Sequence, residues 1–206
     1  MGVKKHIVEL LNTRKDIYKK DPRIIIEDYR REQEKIDEYN GRQLLELLQN
    51  ADDAAFSAEN KCCFISLTDN KLIVANNGEP FTREGIESLM YSNLSPKMKE
   101  QNKIGQKGLG FRSILSWANS VTIKSADFAV EFSKDIALDF LQEVKKNNCN
   151  VDEIIKSKIS ENEKDTIAIL RCPKVLDDIP SEYSKYDTYI VVELKKNQIN
   201  NVIKQI

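Results

Sequence analysis

The chain has 206 residues, 40% of them hydrophobic and 32% charged, with a formal net charge of −1. That length suits one domain with a sizeable core, or one domain with a small appendage. The near-neutral balance leaves nucleic acid not indicated as a partner, and no apolar run long enough to span a membrane and no secretory signal is present. Cys62, Cys63, Cys149 and Cys172 lack a paired C-x-x-C spacing, so they read as buried reduced thiols of a cytoplasmic protein. His6, the single histidine, reads as a surface residue, which excludes a multi-histidine metal site.

In chain order, residues 3–20 form an amphipathic helix with Ile7, Leu10, Leu11 and Ile17 on its apolar side. Asp21-Pro22 breaks it and starts a second helix, Arg23 to Tyr39, whose charge-rich stretch reads as solvated. Asn40-Gly41 ends that helix, and Gln43 to Ser57 forms the third. Cys62–Thr68 and Lys71–Asn76 make a hairpin about Asp69-Asn70. Thr82 caps a short helix, Arg83 to Tyr91. Ser92 to Lys103 is polar and aperiodic, the place for a mobile lid. Leu109 to Trp117 reads as a buried helix, Ser120–Ser125 and Phe128–Ser133 as a second hairpin, and Asp135 to Lys146 as a helix. Asn147 to Lys164 shows no clear pattern. Thr166–Cys172 and Thr188–Leu194 read as the last two strands, followed by a helical ending. Helices alternating with antiparallel hairpins point to an α+β sandwich.

Three stretches carry chemistry. In ELLQNADDA, Glu46, Asn50 and Asp53 stand at i, i+4 and i+7 and so form one row along a helix, beside a leucine stripe. In KLIVANNGEPF, an apolar strand runs into an Asn76-Asn77-Gly78 turn. In KIGQKGLGFRS, Gly105, Gly108 and Gly110 follow a G-x-x-G-x-G pattern and lead into a helical apolar run. A glycine loop feeding a helix N-terminus offers free N–H groups to phosphate. No βαβ unit precedes the loop, so a Rossmann reading fails.

These three motifs, in this order, resemble the GHKL ATPases: gyrase, the ninety-kilodalton heat-shock chaperone, histidine kinases and MutL. The wording is most similar to the sacsin-like, heat-shock-type branch, over roughly Gln43 to Phe132. The resemblance implies the Bergerat fold, a two-layer α+β sandwich with a mixed, mostly antiparallel sheet and helices on one face. It divides the chain into an N-terminal helical extension, 1–40, and an ATP-binding domain, 41–206, the N-terminal part of a longer protein. It implies ATP and Mg²⁺ as cofactors. Asn50 would supply the protein's oxygen to the metal, whose other ligands come from phosphate and water. Glu46 would be the general base; the plainer reading pairs it with Arg42. Asp53 and Asn76 would flank the adenine, with Gly78 under the base or simply in a turn. Gly105, Gly108 and Gly110 would wrap the phosphates, joined by Phe111, with Lys97 and Lys107 adding charge or merely solvated. Phe111 itself is expected in the core. Arg112 reads equally as a phosphate contact or as a holder of the lid. Thr166 corresponds loosely to the family's nucleotide-reaching threonine on a late strand.

The sequence departs from the family pattern at three places: Asn76 stands for an aspartate, Pro80 for the motif's second glycine, and Asp165 for the glycine before the late threonine. A neutral carboxamide accepts a hydrogen bond more weakly than a carboxylate, so adenine selectivity is weakened more than phosphate binding. The expectation is slow ATP hydrolysis, with lid closure driving change in a larger machine. The partners implied are ATP and ADP, a homodimer through the N-terminal region, and further domains or a partner protein. The alternative is a regulatory domain that binds ATP without hydrolysing it. A histidine-kinase reading is disfavoured, because no histidine lies near the motifs.

Overall fold

The computed structural model describes residues 2–55, 61–91, 110–146, 150–158, 166–178 and 181–206. Helices α1 (Val3–Lys20) and α2 (Arg23–Glu38) come first, then α3 (Gln43–Ala54) and the hairpin β1 (Cys63–Thr68) and β2 (Lys71–Asn76). Asp69 makes its tight turn at φ 53. Helix α4 (Arg83–Met90) follows, capped by Thr82, whose hydroxyl accepts from the Gly85 N–H at 3.1 Å. A 3-10 helix, Gly110–Ser116, leads into the hairpin β3 (Ala118–Ser125) and β4 (Phe128–Ser133), which turns at Ala126 with φ 47. Then come α5 (Lys134–Lys145), α6 (Asn150–Lys158), β5 (Lys174–Leu176), β6 (Thr188–Leu194) and α7 (Ile199–Ile203).

The strands form one sheet in the order β1-β2-β6-β3-β4-β5. Every pairing among the described residues is antiparallel, in keeping with the mostly antiparallel sheet expected. Alternate residues of β2, β3, β4 and β6, among them Leu72, Val74, Val121, Ile123, Val130, Ile190 and Val192, pack with Leu44, Leu47, Ile86, Phe111 and Ile114 into the main core. The result is a two-layer α+β sandwich. Ile7 of α1 is fully buried in that core, and Tyr18 and Ile25 join a second cluster with Phe140, Leu141 and Ile155. The first forty residues therefore share the packing of the rest.

Several local expectations change. The stretch Gly110–Ser116 is buried as expected but winds as a 3-10 helix. The Ser113 and Ser116 hydroxyls donate to the carbonyls three residues back, at 2.7 and 2.6 Å, and favour that tighter winding. Thr166–Cys172 is no strand: a 3-10 turn, Ile169–Arg171, occupies its middle. The Glu32 carboxylate accepts from the N–H groups of Ile169 and Leu170 at 2.7 and 2.9 Å, which removes them from any ladder. Pairing resumes after Pro173, in β5. Helix α6 lies in the stretch without a clear pattern. His6 is partly buried: its side chain is 21% exposed and faces Glu87 of α4 at 3.5 Å. Cys62 and Cys63 are exposed, and Cys172 is buried.

The largest departure is on α2. Asp28 and Glu32, read as solvated, are buried. Asp28 accepts from Arg14 Nη1 at 3.0 Å, Tyr18 OH at 2.9 Å and Arg171 Nη2 at 2.7 Å. Arg171 also donates to the Met90 carbonyl, and Arg112 donates to the Leu89 carbonyl at 2.9 Å. Two arginines thus hold the last carbonyls of α4, where a helix end favours positive charge. Desolvation raises the Glu32 carboxyl above its usual range and lowers the Arg112 guanidinium to about 10.

Candidate functional site

The site is built outward from α3. Its N-terminal end is fixed by Gln43, fully buried, whose carboxamide donates to Asn40 Oδ1 at 3.1 Å and to Ser116 Oγ at 3.0 Å. That second bond ties α3 to the 3-10 helix Gly110–Ser116. Leu44 and Leu47 anchor one side of α3 in the core, which leaves Glu46, Asn50 and Asp53 along its other side. Asn50 and Asp53 are half-buried.

Glu46 is more enclosed, with 13% of its side chain exposed. Burial raises its carboxyl above the usual range, and Arg42 opposes the shift from 3.5 Å away. Gly110 presses against it. A Cβ on Gly110 would stand 2.7 Å from Glu46 Cγ and closer still to the carboxyl group. Residues separated by some sixty positions in the chain therefore meet here, and a larger residue at 110 would push the Glu46 side chain from its place.

The far end of α3 meets the Asn-Asn-Gly turn. Gly78 adopts φ +140, and a Cβ there would come within 2.6 Å of the Ala54 carbonyl carbon and 2.9 Å of Ala55 Cα. The Glu79 N–H donates to the Ala54 carbonyl at 2.8 Å, and the Gly78 N–H donates to Asp187 Oδ2 at 2.9 Å. The turn is thus stitched both to the last turn of α3, beside Asp53, and to the start of β6.

Asn76 closes β2 and is 4% exposed, its carboxamide donating to the Asn77 carbonyl at 3.3 Å. Directly across the ladder stands Thr188, the first residue of β6. Thr188 Oγ1 shares a hydrogen bond with Ser125 Oγ at 2.8 Å, and Ser125 Oγ accepts from the Phe81 N–H at 2.9 Å. None of the three motifs points to this buried polar chain. The signal for it was the register of two antiparallel strands, which puts the end of one beside the start of the other.

Thr166 is buried but off any strand, and the next residue, Ile167, packs with Tyr18, Ile25 and Phe140. The late-strand threonine opposite Asn76 is Thr188. Phe111 is core, at 2% exposure. Arg112 resolves to the ion network behind α4. Lys97, Gly105, Lys107, Gly108 and the lid expected over 92–103 lie outside the described residues.

Among the described residues no group of three or more His, Cys, Asp or Glu could hold a metal ion. A metal recruited through Asn50 needs no such group, since phosphate and water complete its shell. The residues present fit that demand: a carboxamide on α3, carboxylates one turn to either side, and Gly110 packed against the Glu46 side chain. A groove of about 260 Å³ lies elsewhere, on the sheet face opposite the main core, lined by Thr122, Lys124, Glu131, Tyr183 and Val191 among others. No helix among the described residues is long and apolar enough to cross a membrane. No protein-family model matches the chain. Over 91 residues, 43% of its length, the chain is 35% identical to the protein NO VEIN of Arabidopsis thaliana, a match spanning 3% of that relative's own length.

Proposed function

We propose that this chain is a GHKL-type module of the heat-shock-protein-90 style that binds ATP with Mg²⁺ and hydrolyses it slowly, in the cytoplasm, within a larger machine. One observation carries the reading: the Asn-Asn-Gly turn and Gly110 close on the two ends of the polar row of α3, Gly78 against backbone where no Cβ fits and Gly110 against the Glu46 side chain. Mg²⁺, when bound, would offset phosphate charge. Asn50 would offer it one neutral oxygen. Glu46 would orient a water and take its proton, a task that the upward shift of its carboxyl favours. Asn76, with Thr188 beside it, would meet the base, and Asp53 would flank it. Thr188 replaces Thr166 in this role because the ladder sets it opposite Asn76.

A second reading, nucleotide binding without turnover, rests on Arg42. At 3.5 Å it holds the Glu46 carboxylate in an ion pair that competes with a water. Calorimetry with ATP, with and without Mg²⁺, on wild type and Asn50→Ala tests the site. Binding indifferent to both the metal and Asn50 would remove the assignment. Hydrolysis by Glu46→Gln separates the two readings: a loss of roughly two to four orders of magnitude marks a general base, and equal turnover in both proteins favours binding alone.

A further inference from the structure

The sheet has two edges, and they are built differently. β5 is three residues long, starts at Lys174 straight after Pro173, and is followed by Asp177 and Asp178. Shortness, proline and charge are the devices that keep an edge from pairing with other strands. β1 has none of them within its span, the nearest charges being Lys61 and Asp69 at its two ends. It runs six residues in unbroken register with β2, and residues 62–68 include no charge and no proline. Among the described residues no strand pairs with its outer side.

The hydrogen-bond alternation of β1 is fixed. The Asn77 N–H donates to the Cys62 carbonyl at 3.2 Å, so the even-numbered residues bond inward to β2. Cys63, Ile65 and Leu67 turn their N–H and C=O groups outward. Their side chains share the helix-covered face with Leu72, Val74 and Asn76, their partners on β2. Phe64, on the other face, is 41% exposed and stacks on Tyr186.

We propose that β1 is the interface of a homodimer, pairing antiparallel with β1 of a second copy about a two-fold axis through Ile65. This joins two six-stranded sheets into one, with both helical layers on the same side. Ile65 faces Ile65 of the second copy, Cys63 faces Leu67, and Phe64 faces Ser66. Every outward N–H and C=O of Cys63, Ile65 and Leu67 finds a partner in this register. A second copy fits better than a foreign strand because the strand complements itself. Apolar side chains meet apolar ones on the helix face, and no charge is present to select another partner. The interface is separate from the N-terminal region expected from the family resemblance, and it does not depend on the nucleotide reading.

Sedimentation velocity of the full chain, from micromolar to near-millimolar concentration, tests this. The wild type is expected to dimerise. Ile65→Lys and Ile65→Glu, each alone, should sediment as monomers with unchanged circular dichroism. Mixing the two variants should restore a dimer, because residue 65 faces itself and opposite charges then meet. A monomeric wild type overturns the proposal. So does a dimer that survives Ile65→Lys, a mixture that stays monomeric, or a wild type that pairs only with an added strand peptide. If the Ile65 variants unfold, Phe64→Cys is mixed with Ser66→Cys and oxidised. These positions form a non-hydrogen-bonded pair in the proposed register, close enough for a disulfide. A 64–66 cross-link mapped between copies by mass spectrometry supports the interface, and its absence overturns it.

Discussion

Gly110→Ala is the most direct perturbation of the candidate site. The added Cβ would stand 2.7 Å from Glu46 Cγ and nearer to the carboxyl. Carbon atoms in contact settle at about 3.5 to 4 Å, so the Glu46 side chain must retreat by roughly 1 to 1.5 Å. What yields is a side chain, not backbone, and Gly110 opens a 3-10 helix, a right-handed winding that alanine adopts. The fold should therefore hold, with a stability change within about 1 kcal/mol. Glu46 can swing toward Arg42, which already lies 3.5 Å from it. A misplacement of that size in a catalytic group costs on the order of a hundredfold in rate. We expect Gly110→Ala to bind ATP within a few-fold of wild type and to lose about two orders of magnitude in single-turnover hydrolysis, with melting nearly unchanged. Wild-type turnover with intact folding would show that the Glu46 position contributes nothing to the reaction.

Gly78→Ala should behave differently, because its Cβ would strike the backbone of Ala54 and Ala55 at a φ that alanine resists; a loss of at least about 2 kcal/mol is expected in thermal or urea unfolding, and an unchanged midpoint would contradict the packing described. Asp28→Asn should cost about 3 to 5 kcal/mol in urea denaturation, since it strips the counter-charge shared by buried Arg14 and Arg171; a loss below about 1 kcal/mol would mean the network is not desolvated. Glu46→Gln should make the protein modestly more stable at neutral pH. The folded-state carboxyl is raised, so the ionised glutamate disfavours the fold as pH climbs above its ordinary value, and the gain should vanish below that range; a gain that persists in acid would point away from the carboxylate charge.

The sequence by itself determined what depends on near neighbours. Helical periodicity placed α1, α2 and α5, and alternation with tight turns placed both hairpins, because those signals come from residues a few positions apart. The row of Glu46, Asn50 and Asp53 was legible for the same reason, being one face of one helix. Tertiary structure alone decided the rest. Asp28 and Glu32 look like any charged helix surface until Arg14, Arg171 and the 169–170 backbone close over them from distant parts of the chain. Thr166–Cys172 carries a short apolar run like that of a strand, yet the Glu32 carboxylate claims two of its amide protons. Thr188 gained its place only when β6 paired with β2, since a ladder's register is a property of two strands together. Gly110 meets Glu46 by the same kind of long-range packing, a contact between residues far apart in the sequence.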